Sequence, residues 1–292
     1  MIKATHCNTL FVTVRTHRTN DFYVTMATAR KNDIFVDVLT PTASAPNFWE
    51  IKTKPIYQYI TQKRKEGKKF VIYFDAYDVI FLDHRDSILR RFNDVYRDRV
   101  MFCADYPLSL YPYTKSDGWY DHNQLKSSWL IDYIQRGNTE TSNLLNAGIY
   151  AGRIDHVLSL FDTVSLTKKD FLNKKLPIPI ADRLYEDLSP EKVRIDDQLA
   201  LWLNMLVHPD LYHIDSCKQF ATVAVTNQMT APSIDEYRAT TKDRPLKCGT
   251  NIGEAMLLHS AGGSHRNMGI VYRYGFHEPI PFSHKQIQAN NR

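Results

Sequence analysis

FVIYFDAYDVIFL, residues 70–82, reads as two apolar strands joined by an acidic turn. Phe70 to Phe74 is an unbroken apolar run of strand length, the pattern of a strand buried on both faces in a parallel sheet. Asp75-Ala76-Tyr77-Asp78 interrupts it, and Val79 to Leu82 resumes it. Upstream, Thr9 to Val14 is β-branched and aromatic and ends in the polar cluster from Arg15 to Thr19, a second buried strand opening into a loop. Residues 21 to 30 predict a helix, and Ile34 to Leu39 a strand stopped by Pro41. Pro55 is suited to start a helix that continues through Tyr59 to the basic end Lys63-Arg64-Lys65 and closes at Gly67. Downstream, Asp86 to Tyr96 predicts a helix and Val100 to Ala104 a strand. This alternation indicates an α/β fold with a mainly parallel sheet, whose ligands gather at the carboxyl ends of the strands.

Composition narrows the class further. The chain has 292 residues, 43% apolar, 24% charged and 12% aromatic, which excludes a disordered polymer, a collagen-like chain and a small disulfide scaffold. Net charge is 37 − 32 = +5, compatible with a phosphate-bearing ligand or a polyanionic partner, and equally with a solvated basic surface. No apolar stretch approaches the ~18 residues of a membrane span, so no membrane span is expected. The run from Leu10 to Val14 is broken by Arg15 and does not read as a secretory signal. Cys7, Cys103, Cys217 and Cys248 are widely separated, without a CxxC pair, and read as reduced thiols. A cytoplasmic protein of one domain, residues 1–292, is the expectation. Within it, 113–143, with Trp119, Tyr120 and Trp129, reads as an insertion, 165–190 as a surface excursion, and 266–292 as a C-terminal tail.

Four places carry candidate chemistry. Asp75 and Asp78 are delivered by an apolar strand into one turn, where two carboxylates can share Mn²⁺ or Mg²⁺; turn-forming aspartates would look the same. Glycine is scarce, 11 in all, yet Gly148 and Gly152 fall in one five-residue stretch behind Asn146. That spacing signals either close approach of a ligand or backbone, or a strand with a bulge. Asp196-Asp197-Gln198 precedes the helix-like run from Leu199 to Leu206. A helix cap accounts for one of these aspartates, and the other is placed to take a proton from a hydroxyl. Last, His259 follows the apolar run from Ala255 to Leu258 and precedes Gly262-Gly263, suiting either an imidazole ligand beside amides that face phosphate or a structural core histidine. There is no GxGxxG, Walker loop, HExxH or GxSxG, nor an Arg-rich helix or zinc finger.

In order and spacing these segments resemble the glycosyltransferase domain of the procollagen lysyl hydroxylases, collagen glucosyl-galactosyltransferases of GT-A type. The matching blocks are FVTVRT (11–16), FVIYFDAYDVIFL (70–82), VMFCADYPLSLYP (100–112), LLNAGIYAG (144–152), RIDDQLALW (194–202), YHIDSCKQF (212–220) and MLLHSAGG (256–263). The resemblance implies a GT-A-like Rossmann-type fold, a mixed, mainly parallel sheet flanked by helices. It implies a UDP-sugar donor held with Mn²⁺, and transfer of the sugar to a hydroxyl acceptor. By matching positions, Asp75, Asp78 and His259 are its metal ligands and Tyr77 stacks on uracil. Thr13 and Thr16 meet the nucleoside, Lys54 stands at the place of a lysine on the diphosphate, and Asn146 and Gly148 line the sugar pocket with Gly262 close by. Asp196 and Asp197 lie near the transferred sugar and the acceptor. Where the family reads His-Gly-Asn-Gly, this chain has His259-Ser-Ala-Gly262. Three other readings use the same residues: a glycosyltransferase acting on a hydroxylated base in nucleic acid, a metal-dependent phosphohydrolase, and a nucleotide-sugar binding module without turnover.

Overall fold

In the computed structural model, residues 2–16, 20–41, 48–104, 145–188, 190, 195, 197–217, 219–223 and 255–259 are described. The apolar run at 70–74 is β3 (Phe70–Phe74), and it is buried along its whole length. Its side chains alternate between two cores, Val71 and Tyr73 on one side, Phe70, Ile72 and Phe74 on the other. Around it stand β1 (Thr9–Val14), β2 (Val36–Leu39), β5 (Val100–Ala104), β6 (Leu145–Arg153) and β7 (Tyr212–Asp215), in the order β2-β1-β3-β6-β5-β7. Only β6 runs against the others in this sheet, pairing antiparallel with both β3 and β5. The sheet is thus mixed and mainly parallel, with helices on both faces, as the resemblance implies.

One core holds α2 (Phe48–Lys65), α4 (Ile154–Leu172), α5 (Ala181–Asp187) and α6 (Asp197–Val207) against the sheet. The other holds α1 (Asn20–Lys31) and α3 (Arg85–Val95), with a small second sheet made of β4 (Val79–Phe81), β9 (Leu257–His259) and β8 (Ala221–Val223). Cys7, Cys103 and Cys217 carry no disulfide, and Cys248 lies outside the described residues. Among the described residues no helix is long and apolar enough to cross a membrane.

Two expectations are corrected. Pro55 does not start its helix: α2 begins at Phe48 and carries Pro55 inside. An interior proline forgoes an N–H that the helix would use, and burial of Thr53, Ile56 and Ile60 along one face holds the helix together across it. The stretch 165–190 is not a surface excursion either. α4 continues through it to Leu172, α5 follows, and Phe171, Leu176, Leu184 and Leu188 are buried in the core. Charged residues between them dominate the composition, but the helical period puts the apolar ones on one face. The insertion expected at 113–143 and the tail at 266–292 lie outside the described residues.

Two polar devices set the elements that carry the site. Asp215, at the end of β7, is buried and accepts backbone N–H bonds from Gln219 (3.0 Å), Phe220 (2.7 Å) and Ala221 (3.1 Å). Burial pushes its carboxyl pKa up, although those three donors favour the charged form. The turn so fixed leads into β8, which pairs in parallel with β9. On the opposite face, Asn204 of α6 donates to Thr163 (3.1 Å) and Tyr212 (2.8 Å) and accepts from Thr167 (2.8 Å). This fully satisfied buried network fixes the roll of α6 against α4 and β7. Replacing Asn204 by Leu removes the acceptor of the buried Thr167 hydroxyl and the donor to the Tyr212 hydroxyl, which keeps its own bond to the Leu201 carbonyl (3.1 Å). A loss of about 1–3 kcal/mol in unfolding free energy is expected, read as a lower chemical denaturation midpoint with no change in the denaturant slope.

Candidate metal centre and donor site

The acidic turn begins where β3 ends. Asp75 continues the strand by donating its amide to Gly148 of β6 (2.8 Å), which fixes the exit of the turn. Tyr73 and Asp75, two residues apart on a strand, share one face, and the Tyr73 hydroxyl donates to Asp75 Oδ1 (2.8 Å). Burial and the Asp75 carboxylate hold the Tyr73 pKa well above its ordinary value, so the phenol stays a donor. Val79, the next residue after Asp78, pairs antiparallel with His259. That register brings a histidine 180 residues away in sequence alongside the turn. His259 Nε2 lies 3.3 Å from Asp78 Oδ2 and 3.9 Å from Asp75 Oδ2. Ligand atoms of Asp75, Asp78 and His259 all lie within 4.8 Å of one another.

Gly148 explains how a buried imidazole fits there. A side-chain carbon on Gly148 would stand 2.6 Å from His259 Nε2 and 2.7 Å from Nδ1, inside contact distance. The glycine predicted to mark a close approach does so, and the approaching group is the histidine ring. The bulge reading of the same stretch also holds. Pairing of β6 with β5 jumps from Phe102↔Tyr150 to Cys103↔Asn146, freeing residues 147–149 from that ladder while Ile149 stays paired with Phe74. Asn146 is buried and its side-chain oxygen accepts the Gly148 amide (2.8 Å), so it shapes this bulge. Two carboxylates and an imidazole at this spacing suit a divalent cation, and the room cleared by Gly148 is consistent with such a set.

Lysine chemistry at the site comes from Lys52. Its Nζ lies 2.9 Å from Asp75 Oδ1 and 2.9 Å from Asp197 Oδ2. Burial opposes the charge on Lys52, but the carboxylates of Asp197 and Asp75 outweigh it and hold its pKa well above the usual lysine range. Lys54 is exposed: two residues further along α2 is about 200° around the helix, away from the acidic turn. Asp197 sits in the first turn of α6, and its Oδ1 accepts the Gln198 amide (3.2 Å). Gln198 in turn accepts from the Ala147 amide (3.4 Å), tying α6 to the bulge. Asp196 and Gly262 lie outside the described residues.

On the other side of the turn, the Tyr77 hydroxyl accepts the Thr16 amide (2.7 Å) and meets the Thr16 hydroxyl (3.1 Å). The Tyr77 ring lies 6.4 Å from that of Phe22, over which Arg15 is placed at 5.2 Å. Thr13 does not join them. It is fully buried and its hydroxyl donates to the Phe74 carbonyl (2.7 Å), a tie between β1 and β3. Sequence reasoning missed Lys52 and Tyr73 as members of this cluster. Tyr73 was visible in principle, through its two-residue spacing from Asp75; Lys52 depended on where α2 starts.

The family described as the PLOD GT domain, the glycosyltransferase domain of collagen lysyl hydroxylases, matches residues 5–172. No curated protein matches the chain. Among solved structures, one described as a glycosyltransferase involved in the glycosylation of the major capsid of PBCV-1 is similar to it, with a TM-score of 0.42 and 9% identity. That likeness covers 89% of this chain and 96% of the other.

The packing of His259 against Gly148 has a measurable consequence. Gly148→Ala is expected to displace the imidazole and weaken any divalent-cation binding at this site by at least about tenfold in a calorimetric titration. In the Gly148→Ala background, His259→Ala should then add little, a non-additivity diagnostic of direct contact.

Proposed function

The chain belongs to the family of the PLOD GT domain, and on that premise we propose a Mn²⁺-dependent glycosyltransferase that moves a sugar from a UDP-sugar to a hydroxyl acceptor. The observation that carries the metal and donor reading is the convergence of Asp75, Asp78 and His259, with Asp197 linked to the same turn through Lys52. Mg²⁺ takes oxygen ligands almost alone, and the imidazole tilts this donor set toward Mn²⁺. When bound, such a cation offsets the negative charge that develops on the departing diphosphate.

The chain's own residues supply the rest. Tyr77, its hydroxyl pinned by Thr16 and its ring backed by Phe22, offers a face on which uracil stacks. Lys52, rather than Lys54, is the lysine that stands at the acidic turn, bridging Asp75 to Asp197. Asp197 lies at the reaction end, where a carboxylate either accepts the proton of the attacking hydroxyl or steadies the positive anomeric carbon. Asn146 and Gly148 hold the floor of the sugar pocket in shape, acting through the bulge and through His259.

Two measurements test this reading. UDP with Mn²⁺ should raise the melting temperature of the wild type, and a chelator should remove the shift. Asp75→Asn should fold normally by circular dichroism yet lose Mn²⁺-dependent UDP-sugar hydrolysis and transfer by at least about a hundredfold. Unchanged turnover in that variant refutes the metal assignment.

A further inference from the structure

Asp75 and Asp197 are 122 residues apart in sequence and belong to the two ends of the proposed chemistry, cation and acceptor. One ammonium joins them, with both N···O distances at 2.9 Å. The Lys52 side chain is about one-fifth exposed, and the pocket beside it is lined by Tyr73, Tyr150, Phe161 and Leu201. Tyr73 and Tyr150 stack at 4.6 Å and line the same pocket as Lys52. Asp75 divides its two oxygens accordingly. Oδ1 takes Lys52 and the Tyr73 hydroxyl, while Oδ2 faces His259.

From this division we infer that Lys52 is a positioning residue that couples the two ends of the site. It holds Asp197 in place at the start of α6, and in doing so draws charge from the carboxylate that faces the cation. An ammonium and a divalent cation on one carboxylate repel each other, so Lys52 sets cation affinity below what Asp75, Asp78 and His259 would reach without it. The same residue therefore weakens cation binding and promotes turnover. A lysine that merely stabilised the fold would support both. The inference rests on the proposed metal site and goes beyond it, assigning opposite effects to one side chain.

The experiment titrates Mn²⁺ alone, without nucleotide, into the full chain and follows free Mn²⁺ by electron paramagnetic resonance. Lys52→Met is expected to bind Mn²⁺ about tenfold more tightly than wild type, because the repelling charge is gone while the Tyr73 hydrogen bond still orients Asp75. Its kcat for UDP-sugar hydrolysis should fall at least about tenfold, since Asp197 loses its anchor. Lys52→Arg, which keeps the charge, should bind Mn²⁺ within about threefold of wild type. Lys52→Gln carries the same expectation as Lys52→Met if the latter does not fold. Equal or weaker Mn²⁺ binding by the uncharged variants, or equal tightening in Lys52→Arg, overturns the inference and leaves the metal site standing. Absence of saturable Mn²⁺ binding in the wild type, matching Asp75→Asn, overturns the metal site and the inference together.

Discussion

Two carboxylates drawn onto one imidazole, with a glycine cleared away beneath it, is the constraint around which this molecule is arranged. Like charges three residues apart on a turn repel, and an imidazole buried at 3% exposure needs polar neighbours; each group answers the other's need. The arrangement holds because the backbone is fixed on three sides. β3 delivers Asp75, the antiparallel pair β4 and β9 brings His259 beside Asp78, and β6 contributes Gly148 while its carbonyl receives the Asp75 amide. No single element makes the site, and a shift of one residue in the β4–β9 register would turn the imidazole to the other face of the small sheet.

Around that centre the structure spends its polar contacts on position. Asp215 braces the turn into β8, which aligns β9; Asn204 fixes the roll of α6, which presents Asp197. Lys52 and Gln198 then tie α6 to the acidic turn and to the bulge in β6. A site assembled from separate elements demands such ties, because an error of an ångström in any of them separates the reacting groups. Membership of the PLOD GT domain family accords with the fold, in which only the antiparallel β6 departs from the direction of its neighbours in the main sheet.

The hydrophobic period made the strands legible. Thr9–Val14, Phe70–Phe74 and Val100–Ala104 are the strands that their apolar and β-branched runs announce, because burial on both faces leaves no charged position to blur the pattern. The start of α2 was not legible. Pro55 carries a strong local preference for a first helical turn, and it was overridden by packing of Thr53, Ile56 and Ile60. With the helix expected to start at Pro55, Lys52 and Lys54 both fell before it, and no helix face was assigned to either. Thr13, placed at the nucleoside by the family resemblance, is fully buried and donates its hydroxyl to the Phe74 carbonyl.

Residue types and order alone determined the α/β class, the acidic turn, the scarce glycine at 148 and the histidine at a strand's end. These are local signals, carried by hydropathy and by the backbone freedom of glycine, and they survive without knowledge of any contact. Only the tertiary structure decided that the glycine makes room for that same histidine, that Lys52 rather than Lys54 reaches Asp75, and that one ammonium spans Asp75 and Asp197. Such facts depend on helix phase, strand register and the meeting of elements remote in sequence, and no local pattern encodes a distance between two residues that the chain brings together only by folding.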